Sequence, residues 1–288
     1  MTSAEPLGDI RVPDVDAIAA ARAHCSHLQA RHGSLGGLCD LGIWTAGVQG
    51  RFPPHSFGSP VLVTFVRGGQ ETGALDAVCA ELARMHDVQM RIVEVSGDTP
   101  TAFAIGRTEA DREVDAGADL VIPVIRERSE EPLSEAIIGL FSRTDAASVA
   151  GHTPGDNDAQ WMDRCTAVRD AMRLGRPVMG DPMGVVESMD AVLVAAIAGF
   201  LLQSAARATP AVIDGVVPCS AALVASRMSR PALAWWIAAS TSHDRALTRG
   251  LDHLEIPAIT DVGVANGSGI GALTALPILQ AAAVVLGN

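Results

Sequence analysis

Tyrosine is absent from this chain of 288 residues, and aromatic residues as a whole make up 3% of it. That leaves little material for the stacking platforms on which single-stranded nucleic acids are held. Positive charge is also scarce: Lys and Arg number 21 against 33 Asp and Glu, a net charge of −12, and no basic cluster stands out along the chain. Nucleic acid and anionic membrane are therefore excluded as expected partners. No C-x-x-C pair occurs among the five cysteines, Cys25, Cys39, Cys79, Cys165 and Cys219, which are scattered and odd in number. They read as buried free thiols in a reducing cytoplasm, with neither a zinc site nor a disulfide framework. Low-complexity tracts are missing too. Met1 to Asp9 holds Glu5 and Asp9 but no basic stretch leading into an apolar core, so no signal peptide is expected. The longest uncharged apolar run, between Asp190 and Gln203, is 12 residues, too short for a bilayer and suited to a buried helix.

What the chain does have is 48% hydrophobic residues, enough for one large domain, or a large and a small one, with a substantial core. The most informative stretch is Ala258 to Leu286. A short β-branched segment, Ala258 to Val262, leads to Asn266-Gly267-Ser268-Gly269-Ile270-Gly271 and then to a run of Ala, Leu and Val. This pattern predicts a strand, a glycine turn and a helix. Such a turn is a natural anion site, because glycine lets a ligand approach the backbone and the first N–H groups of a helix lack partners. The bland alternative is a tight connection that binds nothing. Gly267, Gly269 and Ala272 also fit the dinucleotide pattern G-x-G-x-x-A, but no returning strand or ribose-holding acid follows, so no nicotinamide or flavin cofactor is expected.

Elsewhere, Asp14 predicts an N-cap for a helix to about Arg31, with Ile18, Ala21, Cys25 and Leu28 on its buried face. His24, His27 and His32 near its end read as solvated or helix-end histidines, since no spacing fixes a metal. Gly33 to Leu38 is a turn into a second helix, and Phe52 to Ser56 a loop. Strands are predicted at Val61–Val66, Met90–Val95, Asp119–Ile125 and Ala211–Ile213, with helices at Leu75–His86, up to Ala116, around Trp161–Met172, and from Ser220 to Met228. Trp235-Trp236-Ile237 is an apolar element before the final strand. Strands alternating with helices argue for a mostly parallel sheet covered on both faces.

The order of several segments resembles the nicotinate-nucleotide:dimethylbenzimidazole phosphoribosyltransferase family of cobalamin biosynthesis. The likeness is carried by Gly33-Ser34-Leu35-Gly36 with Leu38, Asp115 to Leu120, Trp161 with Thr166 to Asp170, and Ala195 to Phe200. It continues through Asp214-Gly215 with Ser220 to Leu223, and Gly267 to Ala272. The resemblance implies a Rossmann-like, mostly parallel α/β sheet with helices on both faces, a small helical domain (residues 1–58 with part of the C-terminal region) beside the larger domain (59–288), and a dimer. It also implies transfer of phosphoribose from nicotinate mononucleotide to a benzimidazole base, with a glutamate in a Gly-Glu-Gly-x-Gly turn as general base.

At the site the chain departs from that pattern. Laying Gly267, Gly269 and Gly271 on the family's glycines puts Ser268 where the glutamate belongs. Arg67-Gly68-Gly69-Gln70 replaces an Asp-His-Gly loop and a long ligand-covering segment. Arg126 to Pro132 replaces a Met-Gly-x-x-Asn-Thr-Thr turn, and places Glu130 and Glu131 where they would repel phosphate. Asp244 and Ala246 stand where the family has Glu-x-Gly. Gly267, Gly269, Gly271, Gly68, Gly151, Gly155 and Ser220 are the candidate substrate-binding positions. Ser268 and Asp214 are the candidate catalytic ones, with Asp244, Asp261 and Glu187 as further carboxylates that read as caps or turn residues. The expectation is a family member that has lost its chemistry, forming a homodimer or a heterodimer with a complete paralogue. The alternative is an active transferase with a rearranged site or a different base.

Overall fold

The computed structural model describes residues 8–68, 74–126, 129–151, 157–264 and 267–287. Its six strands are β1 (Pro60–Val66), β2 (Gln89–Glu94), β3 (Leu120–Ile125), β4 (Ala211–Ile213), β5 (Trp236–Ser240) and β6 (Ala258–Thr260). They form one all-parallel sheet in the order β2-β1-β3-β4-β5-β6. β2 lies on one side of β1 and every later strand on the other, so the strand order reverses between β1 and β3. The carboxyl edge of such a switch point is where open α/β sheets bind ligands. β1 and β3 are buried at every position, which is why they read as nearly unbroken apolar runs.

The helices are α1 (Val15–His32), α2 (Gly37–Gln49), α3 (Ala74–Met85), α4 (Thr99–Asp115), α5 (Glu131–Ser142) and α6 (Ala146–Ala150). They continue as α7 (Asp158–Gly175), α8 (Pro182–Ser188), α9 (Val192–Ala206), α10 (Val216–Met228), α11 (Arg245–Leu254) and α12 (Ile270–Gly287). α9 and α10 pack on the central strands, and α12 on β5 and β6. α9 is buried on every side from Val192 to Ala205 because the sheet covers one flank and α4 the other, so its apolar run has no polar face. The α4–α9 crossing is backbone against backbone. A Cβ at Gly106 would lie 1.8 Å from the Ala196 carbonyl oxygen, and one at Gly199 would lie 2.2 Å from that of Phe103.

Asp14 caps α1 by accepting the Ala17 N–H at 2.7 Å. Its buried stripe is Ala17, Ala21 and Cys25, whereas Ile18 and Leu28 are half-buried. α1 and α2 pack on each other and on α12, with Ala21, Cys25, Cys39, Ala46 and Leu286 as a small second core. Here the structure corrects the reading of five free thiols: Cys25 of α1 and Cys39 of α2 form a disulfide, and Cys79, Cys165 and Cys219 are outside any disulfide. The two partners stand 14 residues apart on separate helices, and only the packing of those helices brings them together.

A second correction concerns the C-terminal helix. α12 is 18 residues long and, by length and composition alone, apolar enough to cross a membrane, so the run after Asp190 is not the chain's most extended apolar segment. Half of α12 is buried inside the fold, against α2, α3, β5 and β6. Trp235 and Trp236 are also core residues, and the Trp235 indole donates to the Arg11 carbonyl at 2.7 Å.

Candidate active site

The glycine turn before α12 lies at the carboxyl edge of the sheet, over the switch point. The Ile125 N–H at the end of β3 donates to the Gly267 carbonyl at 3.2 Å. Gly269, with φ +95°, is pressed onto β1 and β3: a Cβ there would lie 2.5 Å from the Leu62 side chain and 3.4 Å from Val124. Gly271 faces Asp214 at the end of β4, whose carboxylate would lie 2.7 Å from any Cβ added at Gly271. The turn is therefore glycine-rich because strands and a carboxylate crowd it from inside.

Asp214 is fully buried and accepts the Ala272 N–H at 3.1 Å. Burial pushes its pKa up to about 6, against the pull of the N–H groups of Ala272, Gly271 and Gly269. The start of α12 thus already carries an anion, and it is the chain's own. An open anion site was expected here. A side chain from a neighbouring strand has taken its place, a contact across 58 residues that local pattern does not encode.

Ser268 is half-buried at the outer side of the same turn. The Cys79 thiol on α3 donates to the Ser268 carbonyl at 3.1 Å, and its sulfur lies 3.8 Å from the Ser268 hydroxyl oxygen. A thiol is a weak donor at neutral pH and no proton acceptor comparable to a carboxylate. Cys79 was missed from the sequence because it lies 189 residues from the serine it touches.

The remaining candidates divide. Gly68 (φ +75°) follows β1 at the same edge of the sheet, and beside it the exposed Arg67 guanidinium reaches Asp190 at 3.2 Å. Gly151 closes α6, where a Cβ would lie 3.0 Å from the Arg245 side chain. Gly155 lies outside the described residues, as do Gly69, Gln70, Glu127 and Arg128. Ser220 is buried in α10 and donates its hydroxyl to the Val217 carbonyl at 2.8 Å, so it serves its own helix. Asp244 caps α11 through the Leu247 N–H at 2.9 Å, Asp261 is exposed and accepts the Thr241 hydroxyl, and Glu187 is exposed on α8.

The phosphate side differs from expectation as well. Glu130 is buried, and its carboxylate accepts the N–H groups of Leu193 at 2.9 Å and Val194 at 3.1 Å. It satisfies the buried N–H groups at the start of α9 that have no partner within the helix, so this carboxylate is committed to the fold and does not stand in the opening as a free repelling charge. One more buried group escaped sequence reasoning. Glu135 on α5, fully buried, pairs with Arg164 on α7, whose Nε lies 2.9 and 3.1 Å from its two oxygens. Burial raises the Glu135 pKa to about 7 despite that partner. Among the described residues no cluster of three or more His, Cys, Asp or Glu is placed to hold a metal ion.

Comparison with known proteins agrees with this fold. A phosphoribosyltransferase family model matches residues 96–288. The nicotinate-nucleotide–dimethylbenzimidazole phosphoribosyltransferase of Streptomyces avermitilis is 33% identical, over 87% of this chain and 81% of its own length. That of Mycobacterium tuberculosis is 31% identical, over 97% of this chain and 91% of its own. The latter alignment runs to 328 positions against a chain of 288, so the mycobacterial protein carries segments that this chain lacks. A Thermus thermophilus nicotinate-nucleotide–dimethylbenzimidazole phosphoribosyltransferase crystal structure shares the fold, with a TM-score of 0.82 at 21% identity, covering 95% of this chain and 96% of that one.

Proposed function

We propose, for a chain that belongs to the nicotinate-nucleotide:dimethylbenzimidazole phosphoribosyltransferase family, that it keeps the family's fold without its phosphoribosyl transfer. In this reading it acts as a partner, of itself or of a complete family member. The observation that carries the proposal is Ser268 in the turn before α12, with the Cys79 thiol alongside, at the position where the family resemblance places the glutamate base. Asp214, a carboxylate that touches the turn, supports the same reading because it is buried against the backbone of α12. The aligned segments that this chain lacks are a further support, since the resemblance implies a ligand-covering segment after β1.

Loss of a general base alone removes a factor of about 10² to 10⁴ in rate. The test is chromatographic detection of α-ribazole phosphate formed from nicotinate mononucleotide and dimethylbenzimidazole, for wild type and for Ser268→Glu. Neither is expected to turn over at a meaningful rate, because the variant regains a carboxylate without regaining the rest of the site. Turnover by wild type refutes the proposal. Rescue by the single change shows that phosphate positioning is intact and the loss is confined to one residue. Sedimentation of the protein alone, and mixed with a complete family member from the same organism, tests the partner role. A monomer under both conditions at micromolar concentration removes it.

One observation favours the second reading, an active transferase with a rearranged base: the Asp214 pKa of about 6 suits proton abstraction near neutrality. On that reading wild type turns over some benzimidazole-like base and Asp214→Asn abolishes the turnover.

A further inference from the structure

No lysine occurs in this chain: all 21 basic residues are arginines. Four of them converge far from the glycine turn. Arg169 and Arg173 on α7, with Arg176 just beyond it, recur at helical spacing and so share one stripe. Arg143, in the left-handed conformation at φ +57° that ends α5, approaches from a different element. Together they line two adjoining cavities of about 490 and 340 Å³ that share Asp145, Met172 and Arg176. Read along the chain these arginines are dispersed, which is why no basic cluster stood out. α5 begins at the carboxyl edge of the sheet and Arg143 lies past its other end, roughly 18 Å away at 1.5 Å per residue.

The charge balance is local and inverted. Acids exceed bases by 12 over the whole chain, yet among the described residues the only acid lining these cavities is Asp145. Its oxygens are held by the Ser148 N–H at 3.0 Å and hydroxyl at 2.7 Å as the cap of α6. Asp170, at the edge, touches Arg169 Nε at 3.1 Å and Arg173 at 3.3 Å. Even with both acids counted, the four guanidinium groups leave an excess of positive charge. The bland account is that basic residues late in a helix answer its dipole. That accounts for Arg173, in the last turn of α7, but not for Arg169 a turn earlier, for Arg143 arriving from α5 or for an open volume between them floored by Met172.

We propose that this groove is a second binding site, for a small phosphate ester with an apolar body. Planar guanidinium groups match the oxygens of phosphate in pairs, and each cavity falls in the size range of small-molecule sites. The site is independent of whether the glycine turn retains chemistry.

Isothermal titration of the full chain at low salt, with inorganic pyrophosphate, AMP, adenosine and citrate as probes, tests the proposal. Pyrophosphate and AMP are expected to bind saturably, with adenosine and citrate at least tenfold weaker. Arg173→Ala/Arg176→Ala is expected to weaken AMP at least tenfold with an unchanged melting temperature. The charge-matched control Arg22→Ala/Arg84→Ala, on exposed arginines of α1 and α3, is expected to leave binding unchanged. No saturable binding, equal loss in both double variants, or citrate binding as tightly as AMP each overturns the phosphate assignment. If the first double variant is unstable, Arg143→Gln is expected to give the same selective loss.

Discussion

Two regions of this molecule use buried groups in opposite ways. Where α4 crosses α9, the close approach is made by removing side chains: Gly106 and Gly199 each meet backbone. At the carboxyl edge of the sheet, contact is made by adding charge. Asp214 reaches back to the start of α12 and Glu130 to the start of α9, each giving a helix terminus the anion it attracts. The helix crossing is a packing solution that tolerates no substitution. The edge is an electrostatic solution, in which carboxylates of the chain occupy places that in an open α/β sheet belong to a ligand. The difference teaches that an apparently generous anion site is judged by what the fold has already put there.

The comparison is broken most severely at the crossing. Gly106→Val places a side chain where 1.8 Å separates a Cβ from a carbonyl oxygen, so α4 and α9 must part. A loss of more than about 4 kcal/mol, a large share of the roughly 5–15 kcal/mol that holds a domain folded, is expected, and circular dichroism with denaturant titration measures it. Next in size is Glu130→Ala, which strips the Leu193 and Val194 N–H groups of their acceptor in a buried position. Its expected cost is about 1–3 kcal/mol, read by the same titration, and Glu130→Gln should recover part of it.

The smallest effect concerns Asp214, and it has a sign. Its folded pKa, about 6 against the ordinary 3.8, means the native state holds this proton more tightly than the unfolded chain. Its contribution is therefore fully present below about pH 4 and is lost as pH rises through 6, by up to roughly 3 kcal/mol. Glu135, raised to about 7, acts in the same direction, so the difference between wild type and Asp214→Asn isolates Asp214. The variant is expected to lose stability less steeply between pH 4 and 6. Parallel curves would show that the Asp214 charge is better solvated than its burial implies.

How far this was legible in advance depended on distance along the chain. β4 was read from its own residues to both ends, Ala211–Ile213, because a short β-branched run between breakers is a local signal. β5 was seen only as an apolar element, and α11, with its charges facing out between turns, was not recognised as a helix. The glycine turn was placed correctly on a strand-to-helix junction. Its filling was not, since Asp214 and Cys79 act on residues 58 and 189 positions away, and Glu130 at the start of α9 was missed likewise, 63 positions from its partner. The disulfide was misread for the same reason, as Cys25 and Cys39 meet only once two helices are packed.

The small second core has a consequence for synthesis and refolding. Ala21, Cys25, Cys39 and Ala46 are all made well before Leu286, which completes their packing. Contacts of such long sequence separation form slowly, and during translation the first helices have no finished surface to rest on. The strands are thus made while α1 and α2 still wait for α12 to complete the surface they rest on.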